Sequence, residues 1–110
     1  MIKVKVVRNI DNTIRSFEMS GHAEAGPYGQ DIVCAGASAV SIGTVNAIDT
    51  LCNVQLEVEQ NADGGFLRCT VPTGLDRQRY EKVQLILEAM VVSLNSIAEG
   101  YGKYITIRET

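Results

Sequence analysis

The sequence predicts an α+β fold, a two-layer ββαββαβ sandwich in which two helices pack on a mainly antiparallel sheet. Three observations lead there. Short runs alternate apolar and polar residues at the period of a half-buried strand, as in Ile2, Val4 and Val6 against Lys3 and Lys5. Turn-forming clusters, Asn9–Asn12 and Asn61–Gly65, sit between pairs of such runs. Two longer segments abandon alternation for a helical period.

The elements follow in chain order. The alternation of Ile2, Val4 and Val6 makes the first strand, and Thr13 to Ser20 is its hairpin partner, with Phe17 and Met19 facing inward. A loop rich in small residues, Gly21 to Gln30, comes next, with Gly26, Pro27, Tyr28 and Gly29 at its tip. Asp31 to about Leu51 reads as a helix with Asp31 as N-cap and a body of Ala, Val, Ile, Ser and Gly. Val54, Leu56 and Val58 alternate with Gln55, Glu57 and Glu59 as a third strand, and Phe66 to Val71 pairs with it across Asn61–Gly65. Pro72, Thr73 and Gly74 end that strand, and a second helix starts near Asp76. Tyr80, Val83, Leu87, Met90, Leu94, Ile97 and Tyr101 step alternately by three and four, one stripe of that helix. Gly100 and Gly102 stop it, and Tyr104 to Arg108 reads as a last short strand.

Composition narrows the function classes. With 110 residues, 45% apolar, one core and one domain spanning 1–110 are expected. Ten basic against 13 acidic side chains, a formal charge of −3, leave no clustered cations for phosphate contacts, so nucleic-acid binding is disfavoured. The charged, alternating N-terminus does not read as a signal peptide. The longest uncharged stretch, Ile32 to Ile48, is 17 residues and carries Ser, Thr, Asn and Gly, too short and polar for a membrane span. Three cysteines is an odd number, so free thiols in a reducing, cytoplasmic compartment are the expectation.

Chemistry concentrates between Gly21 and Ser38. His22, the chain's one histidine, follows a strand end between Gly21 and Ala23. Cys34 falls twelve residues on, at the third helical position if Asp31 caps the helix. Unpaired N–H groups and the positive end of the helix dipole favour a thiolate there, and a nearby imidazole favours it further. The same N–H groups could hold an oxyanion during acyl transfer. Plainer readings stand beside this one. Cys34 could be a small core residue, His22 a hydrogen-bonded turn residue and Asp31 a cap and nothing more. Ser38, one turn after Cys34, either lines a site or lets elements pack closely, and packing is the reading slightly preferred.

Other candidates carry less. Cys69 shares a strand face with Leu67 and Val71, and Cys52 ends a helix; both read as structural. One His and three scattered Cys without a Cys-x-x-Cys make a metal site a poor fit, and no glycine pattern matches a phosphate loop. Gly26 to Gly29 is either a surface loop or a lid that opens for a polypeptide, with Tyr28 placed to touch it. The small residues Ala35, Ala37, Ala39, Ser41 and Gly43 permit a close approach, either within one subunit or across a twofold interface.

The run Gly21-His22-Ala23, then Gly29, then Asp31-Ile32-Val33-Cys34-Ala35 and Ser38 resembles the bacterial ribosomal-processing cysteine proteases, and the likeness extends over essentially the whole chain. The resemblance implies a cysteine endopeptidase that removes the N-terminal extension of large-subunit ribosomal protein twenty-seven. It makes Cys34 the nucleophile and His22 the general base, with Asp31 and Ser38 at positions beside the site; Gly21 and Gly29 of the same run, and Tyr28 of the loop, are the further candidates to support it. It further implies a homodimer, a ribosomal-protein substrate and no metal or organic cofactor. The alternatives are a non-enzymatic ribosome-associated assembly module with structural Cys and His, and a thiol redox or acyl-transfer enzyme.

Overall fold

The computed structural model describes residues 1–23, Gly26 and residues 31–110. The elements are β1 (Ile2–Arg8), β2 (Ile14–Ser20), α1 (Ile32–Cys52), β3 (Glu57–Gln60), β4 (Phe66–Thr70), α2 (Arg77–Tyr101) and β5 (Ile105–Glu109), the expected ββαββαβ order. The strands form one sheet in the order β3-β4-β2-β1-β5. Three neighbouring pairs are antiparallel, and β5 runs parallel to β1 with Val4 opposite Ile107.

Alternation on β1 buries Ile2, Val4 and Val6 and turns Lys3 and Lys5 out. On β2 the buried residues are Ile14 and Phe17, an odd spacing that strict alternation forbids. The pairing explains it. Val7 lies opposite Ser16 but Arg8 lies opposite Ile14, so Arg15 is an extra residue that returns Ile14 to the core face. The Gln84 carboxamide on α2 accepts from the Ile14 N–H at 2.7 Å and donates to its carbonyl at 2.8 Å, satisfying the backbone at the bulge.

The helices lie side by side on the buried face of the sheet. The α2 stripe places Val83, Leu87, Met90 and Leu94 in the core, with Tyr80 and Ile97 half-buried. It fails at its end: Tyr101, the last helical residue before the Gly102 cap, is 43% exposed. On α1 the buried face is Val33, Ala37, Ser41, Thr44, Ile48 and Cys52. Ala37 and Ser41 therefore serve packing within the subunit, whereas Ala35, Ala39 and Gly43 face outward. Ser41 and Thr44 bond back to the Ala37 and Val40 carbonyls at 2.8 and 2.6 Å, which makes their burial tolerable.

The third strand departs from expectation. Val54 and Leu56 are buried, but they precede the ladder, and β3 begins only at Glu57. The chain leaves α1 through Asn53 in a left-handed conformation (φ 54°) and turns Val54 and Leu56 into the core before β3 begins. By Val58 it is an edge strand, and that side chain is 43% exposed.

Candidate active site

Strand β2 ends where Ser20 pairs with Lys3 on one side and Phe66 on the other. The next residue must be glycine for two reasons. Gly21 has φ +83°, and a Cβ there would overlap the Met1 carbonyl oxygen. Its N–H donates to the Gly65 carbonyl at 2.9 Å, which ties the strand end to the β3–β4 hairpin. The chain thus turns off the sheet edge and sets His22 in solvent beside that hairpin, its carbonyl accepting from the Met1 nitrogen at 2.6 Å.

Ala23 then folds inward to 3% exposure, and its N–H donates to Cys34 Sγ at 3.2 Å. The residue after the histidine is bonded to the cysteine sulfur. Cys34 sits at the third position of α1, partly buried against the core. Gly21, His22, Cys34 and Ser38 open onto one cleft of about 240 Å³. The hairpin residues Gln60, Gly64, Gly65 and Phe66 form another part of its lining.

Asp31 is the cap in full. Its Oδ1 accepts from the N–H groups of Val33 and Cys34, both at 3.0 Å, and its carbonyl accepts from Ala35. The Val33, Cys34 and Ala35 N–H groups, part of the anion site read from sequence, are thus already bonded. The dipole end that favours a thiolate also carries a carboxylate. What remains distinctive is the Ala23 N–H, aimed at sulfur from outside the helix. Ser38 differs from the packing reading: it is exposed and lines the cleft. Tyr28 and Gly29, and most of the segment read as a lid, lie outside the described residues.

The other thiols are set apart by burial. Cys52 and Cys69 are both buried, and desolvation pushes the Cys69 thiol up to about 11. Among the described residues no group of three or more His, Cys, Asp or Glu is placed to hold a metal ion. Sequence reasoning missed the hairpin's share of the site. Asn61–Gly65 announces a turn, but only the pairing of β4 with β2 brings that turn to His22.

A family model described as cysteine protease Prp matches residues 1–106. The ribosomal processing cysteine protease Prp of Bacillus subtilis (strain 168) is 42% identical over 101 residues, 92% of this chain and 90% of that protein. The protein of the same name from Staphylococcus aureus (strain Mu50) is 41% identical over 108 residues, 97% of each chain. Two crystal structures of the S. aureus protease are also similar over the full length of both chains. The complex with a covalently linked product peptide gives a TM-score of 0.91 at 37% identity, and that with a substrate peptide 0.84 at 36%.

Proposed function

Because this chain belongs to the Prp family of cysteine proteases, we propose that Cys34 is its nucleophile and His22 the proton-transfer partner. Family membership sets aside the non-enzymatic assembly module. One observation carries the assignment of the sulfur. Cys34 is the one of the three thiols that is not buried, and it lines a cleft in which its Sγ accepts the Ala23 N–H at 3.2 Å with His22 lining the same space. A backbone N–H held on sulfur stabilises negative charge, so it favours the thiolate that attacks.

The steps follow from those placements. The Cys34 thiolate adds to the scissile carbonyl, and the tetrahedral species expels the amine as His22 gives it a proton. The acyl group is left as a thioester on Sγ. His22 then takes a proton from water as the water adds to the thioester, and the carboxylic acid departs while sulfur returns to thiolate. Thioester formation makes sulfur a poorer acceptor, which releases the Ala23 N–H for the carbonyl oxygen of the same intermediate.

The proposed substrate is the N-terminal extension of large-subunit ribosomal protein twenty-seven. Its support is the ribosomal-processing function named for the relatives and the peptides bound to the similar structures. We also propose a cytoplasmic homodimer that works without nucleic acid or cofactor. The α1 stripe Ile32, Ala35, Ala39 and Ile42 is exposed and uncharged, a face suited to a second copy. Incubation of the extended ribosomal protein with wild type and Cys34→Ala, read by product mass, tests the enzymatic part. Wild type should release one N-terminal peptide and the variant none; cleavage by a folded Cys34→Ala protein would refute the assignment.

A further inference from the structure

The β3–β4 turn meets His22 through atoms that the proposed chemistry has not used. Gly65 has room for a side chain on its backbone terms, since its φ lies outside the left-handed region that Gly21 and Gly64 occupy. What stands in the way is the site. A Cβ on Gly65 would lie 3.2 Å from His22 Nε2 and 3.4 Å from Asp63 Oδ1. The ring nitrogen and the carboxylate oxygen therefore border the same small space over one bare α-carbon. Asp63 is held there by its own turn, because Oδ1 accepts the Gly65 N–H at 2.9 Å. Gly65 is held there by its carbonyl, which accepts the Gly21 N–H one residue before the histidine.

The geometry points to the Asp63–Gly65 turn as the positioning element for the His22 imidazole, with Gly65 leaving space for Nε2 and Asp63 Oδ1 presenting an acceptor beside it. The inference rests on His22 being the proton-transfer group. An exposed imidazole is free to rotate about two bonds, and a proton carrier must return to one orientation in each of two half-reactions. A turn bonded at both ends is rigid enough to provide that. The charged and titratable groups near the ring among the described residues come from three elements. They are Asp63 on the hairpin, Cys34 at the α1 terminus in the same cleft, and the Met1 nitrogen on the His22 carbonyl. Of these, Asp63 shares the space at Nε2. Neither Gly65 nor Asp63 touches the sulfur or a scissile bond in this reading, so both are positioning residues.

The test uses the fact that the chain has one histidine, whose ring resonances are read without ambiguity by NMR. Gly65→Ala forces the ring or the carboxylate to give by a few tenths of an ångström. It should move the His22 ring resonances and lower kcat about 3–10-fold with KM nearly unchanged, since misplacement by a fraction of an ångström costs rate before binding. Asp63→Ala, which removes both acceptor and turn, should lower kcat about tenfold. Asp63→Asn keeps an Oδ1 for the Gly65 N–H and should recover most of that loss. Wild-type ring resonances and wild-type kcat in both Gly65→Ala and Asp63→Ala would overturn the inference. So would a loss seen in KM alone. Failure of the dyad reading would look different, with His22→Ala retaining activity whatever the turn variants do.

Discussion

Helices α1 and α2 begin at aspartates with extended backbones whose carboxylates take N–H groups of the first turn, yet their surroundings differ. At α2 the Asp76 carboxylate also pairs with Arg79 of the same turn, and the helix end is closed on itself. The first turn of α1, Ile32 to Ala35, carries no arginine. Ile32 is exposed, and a backbone N–H from another segment reaches the third helical residue. Capping is the same device at both ends, worth a similar amount of stability. On the proposed reading, reactivity therefore does not come from the helix terminus. It comes from Gly21 to Ala23 being delivered there by β2, so that a thiol at an ordinary capped terminus receives an external donor and shares a cleft with an imidazole.

The largest effect that would break this comparison is at the sulfur. Cys34→Ala should abolish cleavage of a peptide substrate while the circular dichroism spectrum stays that of the wild type. His22→Ala should cost roughly 10²–10⁴-fold in kcat, the usual scale of a positioned acid–base group. A next effect separates the three thiols. At neutral pH iodoacetamide should modify Cys34 and leave Cys69 untouched, followed by peptide mass. Cys69 has only about 10⁻⁴ of its thiol ionised at pH 7, given a pKa near 11, and it is buried as well. Equal labelling of both in the folded protein would show that exposure and the Ala23 contact do not set reactivity.

The two caps give a smaller contrast. Asp76→Ala and Asp31→Ala should each lower Tm by about 3–6 °C, the loss of one N-cap in a chain of this size. Only Asp31→Ala should also lower kcat, because it frees the Cys34 N–H and loosens the turn that carries the sulfur. Equal activity in the two variants would mean that the α1 cap is structural alone.

Much of this was legible in the chain and some was not, for reasons that particular residues make plain. Ile2, Val4 and Val6 and the stripe from Val83 to Leu94 announce their elements because local period and burial agree. His22 and Cys34 were readable because a strand end and a helix cap are local signals. Ile14 with Phe17 breaks alternation through a bulge, which depends on the partner strand. Val54 and Leu56 alternate convincingly yet form no ladder, since burial in the core and pairing at an edge both produce alternation. Asp63 and Gly65 carry no local mark of the site. Their place depends on β4 inserting beside β2, a pairing between residues some fifty positions apart, as Ser16 with Thr70 shows.

At the far end of β1 from the site an ion-pair cluster ties three elements together, and the smallest predicted effect lies there. Arg8 forks to Glu88 on α2 at 2.7 and 2.9 Å and to Glu109 on β5 at 2.7 Å, tying one strand to a helix and a second strand. The hydrogen bond from Arg8 holds the Glu88 carboxyl below the usual carboxylate range. A carboxyl lowered in the folded state stabilises that state fully above its unfolded pKa, and the contribution disappears as pH falls through the lowered folded value. Glu88→Gln should therefore lower Tm slightly at pH 7, with a gap to wild type that closes on acidification below about pH 4.5. Glu88 is 44% exposed, so solvent screens the pair and the gap should be only a degree or two. Cleavage at pH 7 should be untouched, because nothing in this cluster reaches the cleft. A constant gap from pH 7 to pH 3 would mean that the variant acts through packing and not through charge.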